Sequence, residues 1–485
     1  MKDINITMLT DFYELTMANG YMKSGMADKT AYFDVFFRNI PDDGGYAIMG
    51  GLEHIIDYLD NLEFTDEDIE FLRGKGIFSE EFLQYLADFK FACDVWSIPE
   101  GTPIFPREPV MTVRGPVIQA QFVETAILMM FNHESLIATK ASRIVRAAQG
   151  RAVMEFGSRR SHGASAAMYG ARAAYIGGCI GTACAIVDRE TGIPALGTMA
   201  HSWVQLFPTE YDAFKAYAEN YPQNCTLLVD TYNVLKSGVP NAIKIFKEMK
   251  PQKMGIRIDS GDIAYLTKQA RKMLDEAGFP EATITASNAL DEYLIRDIIL
   301  EGAKIDSFGV GERLITAKSD PVFGGVYKLS AIEDENGITP KIKISENVGK
   351  ITNPGVKDVY RIYDNDSGKA LGDLITLREE GEPVGKVNED GEEEIEIFDE
   401  ESPWKRKAIS NYTIKNLRVQ IYDGGKRVYE RPSVKEVQKY CKDQIETIWE
   451  ETLRFENPQT YYVDLSQKLW DLKQGLMEEH GKKSR

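Results

Sequence analysis

The sequence of 485 residues contains no apolar run long enough to cross a lipid bilayer, since a transmembrane helix needs about 20 consecutive apolar residues. Its first residues, 1–5, lack the apolar core of a secretory signal peptide. The five cysteines are scattered and show no metal-ligand spacing, which is typical of reduced thiols in the cytosol. We therefore expect a cytoplasmic protein without a membrane anchor.

Several common catalytic signatures are also missing. The sequence has no P-loop of the form Gly-x-x-x-x-Gly-Lys-[Ser/Thr], no Gly-x-Ser-x-Gly elbow and no His-Glu-x-x-His zinc motif. Gly-x-Gly-x-x-Gly dinucleotide binding is not supported either. These absences narrow the range of chemistry that the chain can perform.

Basic residues are fewer than acidic ones: the sequence has 57 lysines and arginines, 75 aspartates and glutamates and a net charge of -18. We therefore expect neither nucleic acids nor anionic membranes as partners. Residues 135–187 are the exception, because Glu155 is the only acid among seven lysines and arginines. Such a basic block suits a small phosphorylated ligand, but for Lys140, Arg143 and Arg146 solvated helix faces are an equally good interpretation.

Short apolar runs recur between residues 153 and 311, and each is followed by polar or glycine-rich residues. Helical patterns fill most of the gaps between the runs. Repeated strand, loop and helix predict an α/β fold with an irregular parallel α/β barrel, whose active site lies in the loops after the strands. The runs lie at residues 153–154, 195–196, 227–229, 255–258, 283–285 and 305–308.

The chain organisation predicted from these patterns has two domains. The barrel spans residues 126–325 and carries the active site. A second, α+β domain combines residues 1–125, which mix helices and strands, with residues 326–485, where strands and closing helices are predicted. The very acidic segment 378–401 predicts an exposed hairpin or loop, and we interpret it as a solvated surface insertion.

Candidate phosphate-binding groups follow the last two apolar runs of the predicted barrel. Gly309 and Gly311 flank a single valine, and exposed backbone N–H groups in such a loop can bind phosphate. A simple turn is the alternative interpretation. Ser287 and Asn288, one strand earlier, would add further donors.

Two carboxylates surround a tight turn at Asp259, Ser260, Gly261 and Asp262. They suit ribose hydroxyls or Mg²⁺, although an aspartate here is also a common helix N-cap. Arg257, two residues upstream in a predicted strand, would point the same way as Asp259, either as a salt bridge or as a substrate clamp.

Further candidates follow two other runs. Arg159 and Arg160 offer guanidinium forks that suit carboxylates and phosphates. Phe156 either stacks on an aromatic ligand or belongs to the core. His201, followed by Ser202, is the only histidine at a predicted barrel strand end, and it could act in acid/base chemistry or accept a phosphoryl group.

These segments together resemble the nicotinate phosphoribosyltransferases. The resemblance starts at residues 9–17, and its most specific parts are residues 155–160, 197–202, 259–262 and 308–311. It implies that the chain joins nicotinate and 5-phosphoribosyl 1-pyrophosphate to give nicotinate mononucleotide and pyrophosphate, a step of NAD salvage. ATP hydrolysis would accompany the reaction, and Mg²⁺ would neutralise the leaving pyrophosphate.

The resemblance also implies roles for individual residues. ATP would phosphorylate His201, and the pyridine ring would stack between Phe156 and Tyr13. Tyr13 would come from the neighbouring subunit of a homodimer with shared active sites. The resemblance further places Arg159 beside the pyridine, Arg257 near the base and ribose, Asp259 on the ribose hydroxyls, Gly309 and Gly311 on the 5′-phosphate, and Asp230 on the ribose or magnesium side.

Three alternatives stay open from the sequence. A nicotinamide enzyme of this kind would need an acid in the segment matching residues 175–181, and none is present. A quinolinate enzyme would need more cations in the pocket. A non-catalytic sensor of phosphoribosyl ligands would not need to retain His201. Arg313, after Gly311, either binds phosphate or pairs with Glu312.

Overall fold

The computed structural model describes residues 5–388, 391, 393–400 and 402–483. The chain divides into two compact units. The first contains Met1–Leu136, Val322–Ser433 and Tyr440–Arg485, and the second contains Ile137–Pro321 and Val434–Lys439.

The α-helices are α1 Phe12–Lys23, α2 Leu52–Asp60, α3 Asp66–Gly74, α4 Glu80–Ala87, α5 Val117–Phe122, α6 Glu124–Ala147, α7 Ala164–Ile176, α8 Ala185–Thr191, α9 His201–Gln205, α10 Glu210–Asn220, α11 Val239–Met249, α12 Ile263–Glu276, α13 Glu292–Leu300, α14 Glu312–Ile315, α15 Val434–Ile445 and α16 Gln467–Lys483.

The strands are β1 Thr30–Phe36, β2 Ala47–Ile48, β3 Asp94–Ser97, β4 Pro103–Ile104, β5 Met111–Pro116, β6 Ala152–Glu155, β7 Cys225–Leu228, β8 Met254–Ile258, β9 Thr283–Asn288, β10 Ser307–Val310, β11 Val326–Asp334, β12 Gly337–Pro340, β13 Lys357–Asp364, β14 Ala370–Leu377, β15 Lys386–Val387, β16 Glu393–Phe398, β17 Arg406–Ile409, β18 Tyr412–Asn416, β19 Val419–Asp423, β20 Lys426–Arg427 and β21 Val463–Leu465.

The second unit is built around a parallel sheet with the strand order β6-β10-β9-β8-β7. Each strand is short and at least half buried, and helices connect most of them, as in other parallel sheets whose faces are covered. The alternation of strand and helix predicted from the sequence is therefore confirmed. The order gives five hydrogen-bonded strands with β6 and β7 at its ends, so closure into a barrel stays a prediction.

One expected strand does not form. The run Ala195-Leu196 makes only an isolated parallel bridge, between Ala195 and Thr182, and Thr182 in turn bridges to Glu155. The run is two residues long and follows Pro194, which has no N–H for a ladder hydrogen bond. The prediction of a strand at this position was wrong, although the bridges still attach this segment to the edge of the sheet beyond β6.

The first unit is assembled from the two ends of the chain. Its largest sheet has the order β12-β11-β1-β5-β3-β19-β20. Within it β1 pairs antiparallel with β5 on one side and with β11 on the other. The N-terminal and C-terminal segments therefore share one sheet. A second sheet has the order β18-β13-β14-β21, and β15, β16 and β17 form a third.

The acidic segment is more ordered than expected. Its described residues contribute β15 and β16, and β16 pairs with β17. Ile395 and Ile397 are buried on either side of the exposed Glu396, and Phe398, the last residue of β16, is buried as well. The prediction of a hairpin is confirmed by the antiparallel pairing of β15 with β16. The segment is not only a solvated insertion, because Ile395 and Ile397 face a small apolar cluster. Residues 389, 390, 392 and 401 of this segment lie outside the described residues.

None of the helices in the described part of the chain is long and apolar enough to cross a membrane.

A buried ion pair organises the interior of the first unit. Arg361 is fully buried and donates to both carboxylate oxygens of Asp373, over 2.8 and 2.6 Å. Tyr461 also donates to Asp373, and its ring stacks on Phe105 with centroids 3.7 Å apart. Glu108 accepts from the backbone N–H of Phe105. Burial, followed by the neighbouring charge of Asp373, raises the pKa of Glu108 well above its ordinary value of 4.5.

This arrangement predicts a pH-dependent stability. A carboxyl group whose pKa is higher in the folded than in the unfolded protein favours folding at low pH, and its contribution falls as pH rises above the unfolded value. Glu108→Gln, which keeps the shape and cannot ionise, should therefore raise the melting temperature at pH 8 and have little effect near pH 4.5. Differential scanning calorimetry at several pH values measures this difference.

The control for Glu108→Gln is Glu281→Gln, which changes an exposed carboxylate and should leave the pH profile nearly unchanged. A Glu108→Gln protein that is less stable than the parent at pH 8 would contradict the assignment of an unfavourable charge at Glu108.

Candidate functional site

Polar side chains meet where four neighbouring parallel strands end. The register pairs Leu228 with Arg257, Ile258 with Ala286, and Gly309 with both Ser287 and Met154. Continuing the register by one or two residues places Asp230 and Asp259 in the same row as Ser287 and Gly309. Residues predicted separately from four sequence segments therefore lie side by side at one edge of the sheet.

His201 is the first residue of α9 and faces this row. Its Nε2 lies 4.0 Å from Oδ1 of Asp230 and 3.9 Å from Oδ2 of Asp259. Its Nδ1 is 3.1 Å from the hydroxyl of Thr231. The side chain is about 40% exposed. The imidazole is therefore oriented by a hydroxyl, close to two carboxylates and accessible to a ligand.

Thr231 was not predicted from the sequence. It follows Asp230, which was a candidate, and a hydroxyl that orients a histidine carries no distinctive sequence signal. Only the approach of the segment containing His201 to the end of β7 reveals the contact.

Asp230 is held in place from one side. Its Oδ2 accepts from the backbone N–H of Asp259 over 3.1 Å and from the Ser260 hydroxyl over 2.6 Å. Its Oδ1 is buried and has no hydrogen-bond partner among the described residues, and it is the atom nearest to Nε2 of His201. A buried carboxylate oxygen without a partner is unfavourable, so this atom suits a cation or a proton donor supplied by a ligand.

These groups fit a magnesium ion. Mg²⁺ binds through one or two carboxylates and otherwise through water and substrate phosphates. The unpartnered Oδ1 of Asp230 and the partly exposed carboxylate of Asp259 supply such oxygens. The described residues contain no cluster of three or more metal-ligating side chains.

Arg257 connects this row to the segment that precedes His201. Its Nη1 donates to the Thr198 hydroxyl over 2.7 Å and to the carbonyl of Met199 over 3.3 Å. Its Nη2 lies 4.0 Å from Asp259. Burial lowers the pKa of Arg257, against the opposing effect of Asp259. Arg257 therefore faces Asp259, as predicted, and its hydrogen bonds also hold the segment that precedes His201.

Phe156 and the two arginines lie on a loop at the end of β6. The backbone N–H of Phe156 donates to the carbonyl of Val310 over 2.7 Å, which joins the loop to β10. Residues 158–160 form a short 3-10 helix. Arg159 and Arg160 are exposed, and Arg160 reaches Glu312 only at 4.0 Å. Both guanidinium groups are therefore accessible to an anionic ligand.

The Phe156 ring explains one glycine of the predicted phosphate loop. A Cβ atom at Gly309 would lie 2.6 Å from Cδ2 of Phe156, and one at Gly311 would lie 3.1 Å from the Phe156 carbonyl oxygen. Real Cβ contacts are longer than the first of these distances. Gly309 is therefore required by the ring, whether or not the loop also binds phosphate.

Several other predicted residues hold the row together. The Ser287 hydroxyl donates to Asp259. The side chain of Asn288 accepts from the backbone N–H of Ala289. Gly261 has a φ of +84°, which favours glycine. Asp262 caps α12, as the N-cap interpretation predicted. The Ser202 side chain is exposed next to His201.

Arg313 does not pair with Glu312. Its guanidinium donates to Asp291, the N-cap residue of α13, whereas Glu312 pairs with Lys318 over 2.7 Å. The prediction of a local pair with Glu312 was wrong, because α14 turns the two side chains towards different partners. Phosphate binding by Arg313 stays a prediction.

Part of the basic block has a structural role. Lys140 and Arg143 are about 3% exposed, and both contact Oε1 of Glu292, at 2.9 and 2.8 Å. For these two residues the interpretation as solvated helix faces was wrong, because α6 buries them against α13. Truncating one partner of such a buried pair leaves the other charge uncompensated.

Tyr13 belongs to the first unit, on α1, and its side chain is 46% exposed. Leu9, Phe12 and Met17 are exposed on the same segment. An exposed aromatic and aliphatic surface of this kind is typical of interaction sites.

Three family models match successive parts of the chain. The nicotinate phosphoribosyltransferase N-terminal domain matches residues 8–132. The nicotinate phosphoribosyltransferase family matches residues 151–366, and the nicotinate phosphoribosyltransferase C-terminal domain matches residues 356–473. The matches follow the order in which these parts occur along the chain.

Individual proteins give the same result. The chain is 42% identical to nicotinate phosphoribosyltransferase of Bacillus subtilis over 99% of this chain and 96% of that protein. It is 43% identical to a nicotinate phosphoribosyltransferase of Mycobacterium tuberculosis over 77% of this chain and 79% of that protein. The crystal structure of human nicotinic acid phosphoribosyltransferase superposes with a TM-score of 0.84 at 26% identity, over 96% of this chain and 99% of that chain.

The packing of Phe156 on Gly309 predicts a specific stability effect. Gly309→Ala should displace the ring and lower the free energy of unfolding by about 1–3 kcal/mol, the usual cost of overpacking. The double change Gly309→Ala with Phe156→Ala should lose less than the sum of the single changes, because the clash disappears. Chemical denaturation of the four proteins measures the coupling.

The control is Gly475→Ala on α16, where a new Cβ would meet no atom within 4 Å. It should stabilise the protein slightly, since alanine favours helix. If the losses in the free energy of unfolding from Phe156→Ala and Gly309→Ala were additive in the double variant, the contact between the two residues would be contradicted.

Proposed function

The chain belongs to the nicotinate phosphoribosyltransferase family, and we propose that the row of polar groups facing His201 is where it joins nicotinate to 5-phosphoribosyl 1-pyrophosphate. The activity itself is carried by the identity of 42% with the Bacillus subtilis enzyme along 99% of the chain. The proposed location of the site is supported by the short distances from His201 to Asp230 and Asp259, which follow the ends of parallel strands.

The chemistry of the transfer suits these groups. Displacement of pyrophosphate from the anomeric carbon develops positive charge on the ribose ring, so positioning and charge stabilisation contribute more than proton transfer. In our proposal the carboxylate of Asp259, already oriented by Ser287, accepts hydrogen bonds from the ribose hydroxyls. Asp230 and Asp259 would hold Mg²⁺, which would neutralise charge on the pyrophosphate.

The base would bind on the loop that follows β6. Phe156 offers its ring to the pyridine, and the exposed forks of Arg159 and Arg160 suit a carboxylate. The 5′-phosphate would bind to backbone N–H groups near Gly309 and Gly311, with Ser287, Asn288 and Arg313 close by. The preference for nicotinate is consistent with the absence of an acid in residues 175–181.

ATP coupling through His201 is the second part of the proposal. A ring nitrogen of His201 attacks the γ-phosphorus of ATP, the bond to the bridging oxygen breaks, and ADP leaves with that electron pair. Water later cleaves the N–P bond and releases inorganic phosphate. While it exists, the phosphohistidine places negative charge beside Asp230 and Asp259 and thereby changes the affinity of the site for pyrophosphate and Mg²⁺.

The experiment that tests the function uses the purified protein, 5-phosphoribosyl 1-pyrophosphate and Mg²⁺, with nicotinate, nicotinamide or quinolinate, each with and without ATP. We expect nicotinate mononucleotide, separated by chromatography, to form faster with ATP. If product formed only from nicotinamide or only from quinolinate, nicotinate would not be the substrate and the assignment of the base would be overturned. Ligand binding without pyrophosphate release would favour a sensor.

The role of His201 is tested in the same assay with His201→Ala. This protein should lose ATP hydrolysis and retain a slow transfer that does not depend on ATP. His480→Ala, an exposed histidine on α16, is the matched control and should behave as the parent. Unchanged ATP hydrolysis in His201→Ala would remove the proposed phosphoryl acceptor.

We further propose that the parallel strands close into an irregular barrel and that the protein is a homodimer in which Tyr13 completes the partner's base site. The exposed surface around Tyr13 on α1 supports an interface there.

A shared site predicts complementation between two inactive variants. Tyr13→Ala and Arg159→Ala should each weaken nicotinate binding. Mixed dimers should recover up to about half of the activity of the parent, because one of their two sites has both residues intact. Activity measured after mixing and refolding tests this. No recovery, with dimers detected by light scattering, would contradict a site shared between subunits.

A further inference from the structure

Glu155, the last residue of β6, is a fully buried carboxylate. Burial raises its pKa, while hydrogen bonds from Thr182 and Gly157 act in the opposite direction. Within the part of the chain that the structure describes, no lysine or arginine is among the groups that act on it. A buried carboxylate without a cation reduces stability relative to a neutral residue. Its presence here calls for a role other than stabilising the fold.

The two oxygens of Glu155 bind two different segments. Oε1 accepts from the backbone N–H of Gly157, at the start of the loop that carries Phe156, Arg159 and Arg160. Oε2 accepts from the Thr182 hydroxyl over 2.6 Å. One side chain therefore ties the loop that would bind the base to a second segment at the edge of the sheet.

That second segment leads towards His201. Thr182 donates its backbone N–H to the carbonyl of Pro194 over 3.0 Å, and the N–H of Leu196 donates to Thr182 over 2.8 Å. Residues 197–200 follow directly and end at His201. Glu155 is thus the side chain through which the loop after β6 is attached to the segment that continues into α9.

The Gly157 position leaves little freedom for the loop. A Cβ there would lie 2.6 Å from the side chain of Ile315 and 2.8 Å from Oε1 of Glu155. Phe156, one residue earlier, is held by Val310 and packs on Gly309. These four contacts restrict the loop conformation, and of them the one to Glu155 depends on a side chain that can be changed without refilling the core.

We propose that Glu155 is a positioning residue: its carboxylate, through Gly157 and Thr182, holds the loop of residues 156–160 in the conformation that receives the nicotinate ring and its carboxylate. The inference deepens the proposed function and rests on it. Glu155 is fully buried and its carboxylate is bound to Gly157 and Thr182, so it would act through the loop and not by direct contact with the base. Its loss should therefore weaken binding of the base selectively and leave binding of 5-phosphoribosyl 1-pyrophosphate nearly unchanged.

The test compares Glu155→Ala, Glu155→Gln and Thr182→Val with two controls. Glu210→Ala and Glu210→Gln change another buried carboxylate of the same unit, which accepts from Asn241 over 2.9 Å and contributes nothing to the proposed site. For each protein we would measure kcat, the KM for nicotinate, the KM for 5-phosphoribosyl 1-pyrophosphate and the melting temperature. Calorimetric titration with nicotinate mononucleotide gives an affinity that is independent of turnover.

Glu155→Ala should raise the KM for nicotinate and the Kd for nicotinate mononucleotide about tenfold, the usual order for a lost charge-assisted hydrogen bond. The KM for 5-phosphoribosyl 1-pyrophosphate should change less than about twofold. Glu155→Gln should restore most of the affinity, because its amide can accept from Gly157 and donate to Thr182. Thr182→Val should have an intermediate effect that is not additive with Glu155→Ala.

The proposal would be overturned if Glu155→Ala lowered the melting temperature as much as Glu210→Ala does and left the KM for nicotinate and the KM for 5-phosphoribosyl 1-pyrophosphate unchanged or raised both equally. If Glu155→Ala does not fold, the KM of Thr182→Val for nicotinate decides, and an unchanged value contradicts the role. If the parent makes no product from nicotinate, the proposed function fails separately. A crystal structure of Glu155→Gln or Thr182→Val then shows whether the Phe156 loop has left Gly309.

Discussion

The parallel register of β7, β8, β9, β10 and β6 is the constraint on which the site depends. It aligns Asp230, Asp259, Ser287 and Gly309 in one row, and the hydrogen bonds between neighbours in that row orient the carboxylates. A slip of one residue in any pair would turn the side chains of that strand to the opposite face.

The distribution of cations explains how an acidic protein can take anionic substrates. Lys140 and Arg143 are buried and both pair with Glu292, and Arg257 donates hydrogen bonds to residues 198–199. Arg159 and Arg160 are left exposed on the loop after β6. The basic block thus serves two purposes, since its helical part stabilises the unit and its loop part is accessible to ligands.

The carboxylates of Asp230, Asp259 and Glu155 differ in their exposure and in their hydrogen-bond partners. Asp230 has one satisfied and one unpartnered oxygen, and Asp259 is partly exposed and held by Ser287. Glu155 is fully buried and binds only protein groups. In our proposal these three carboxylates serve metal binding, ribose binding and loop positioning. Asp259 differs from the other two in its exposure, and Asp230 differs from Glu155 in having an oxygen without a partner among the described residues.

The sequence by itself determined the alternation of strand and helix, the strand ends that carry polar residues and the family, because apolar periodicity and residue order survive without coordinates. Tertiary structure alone decided the pairing of Arg313 with Asp291, the orientation of His201 by Thr231, the packing of Phe156 on Gly309 and the burial of Lys140. Each of these features depends on which segments, far apart in the sequence, lie close together in the fold, and local sequence patterns do not contain that information.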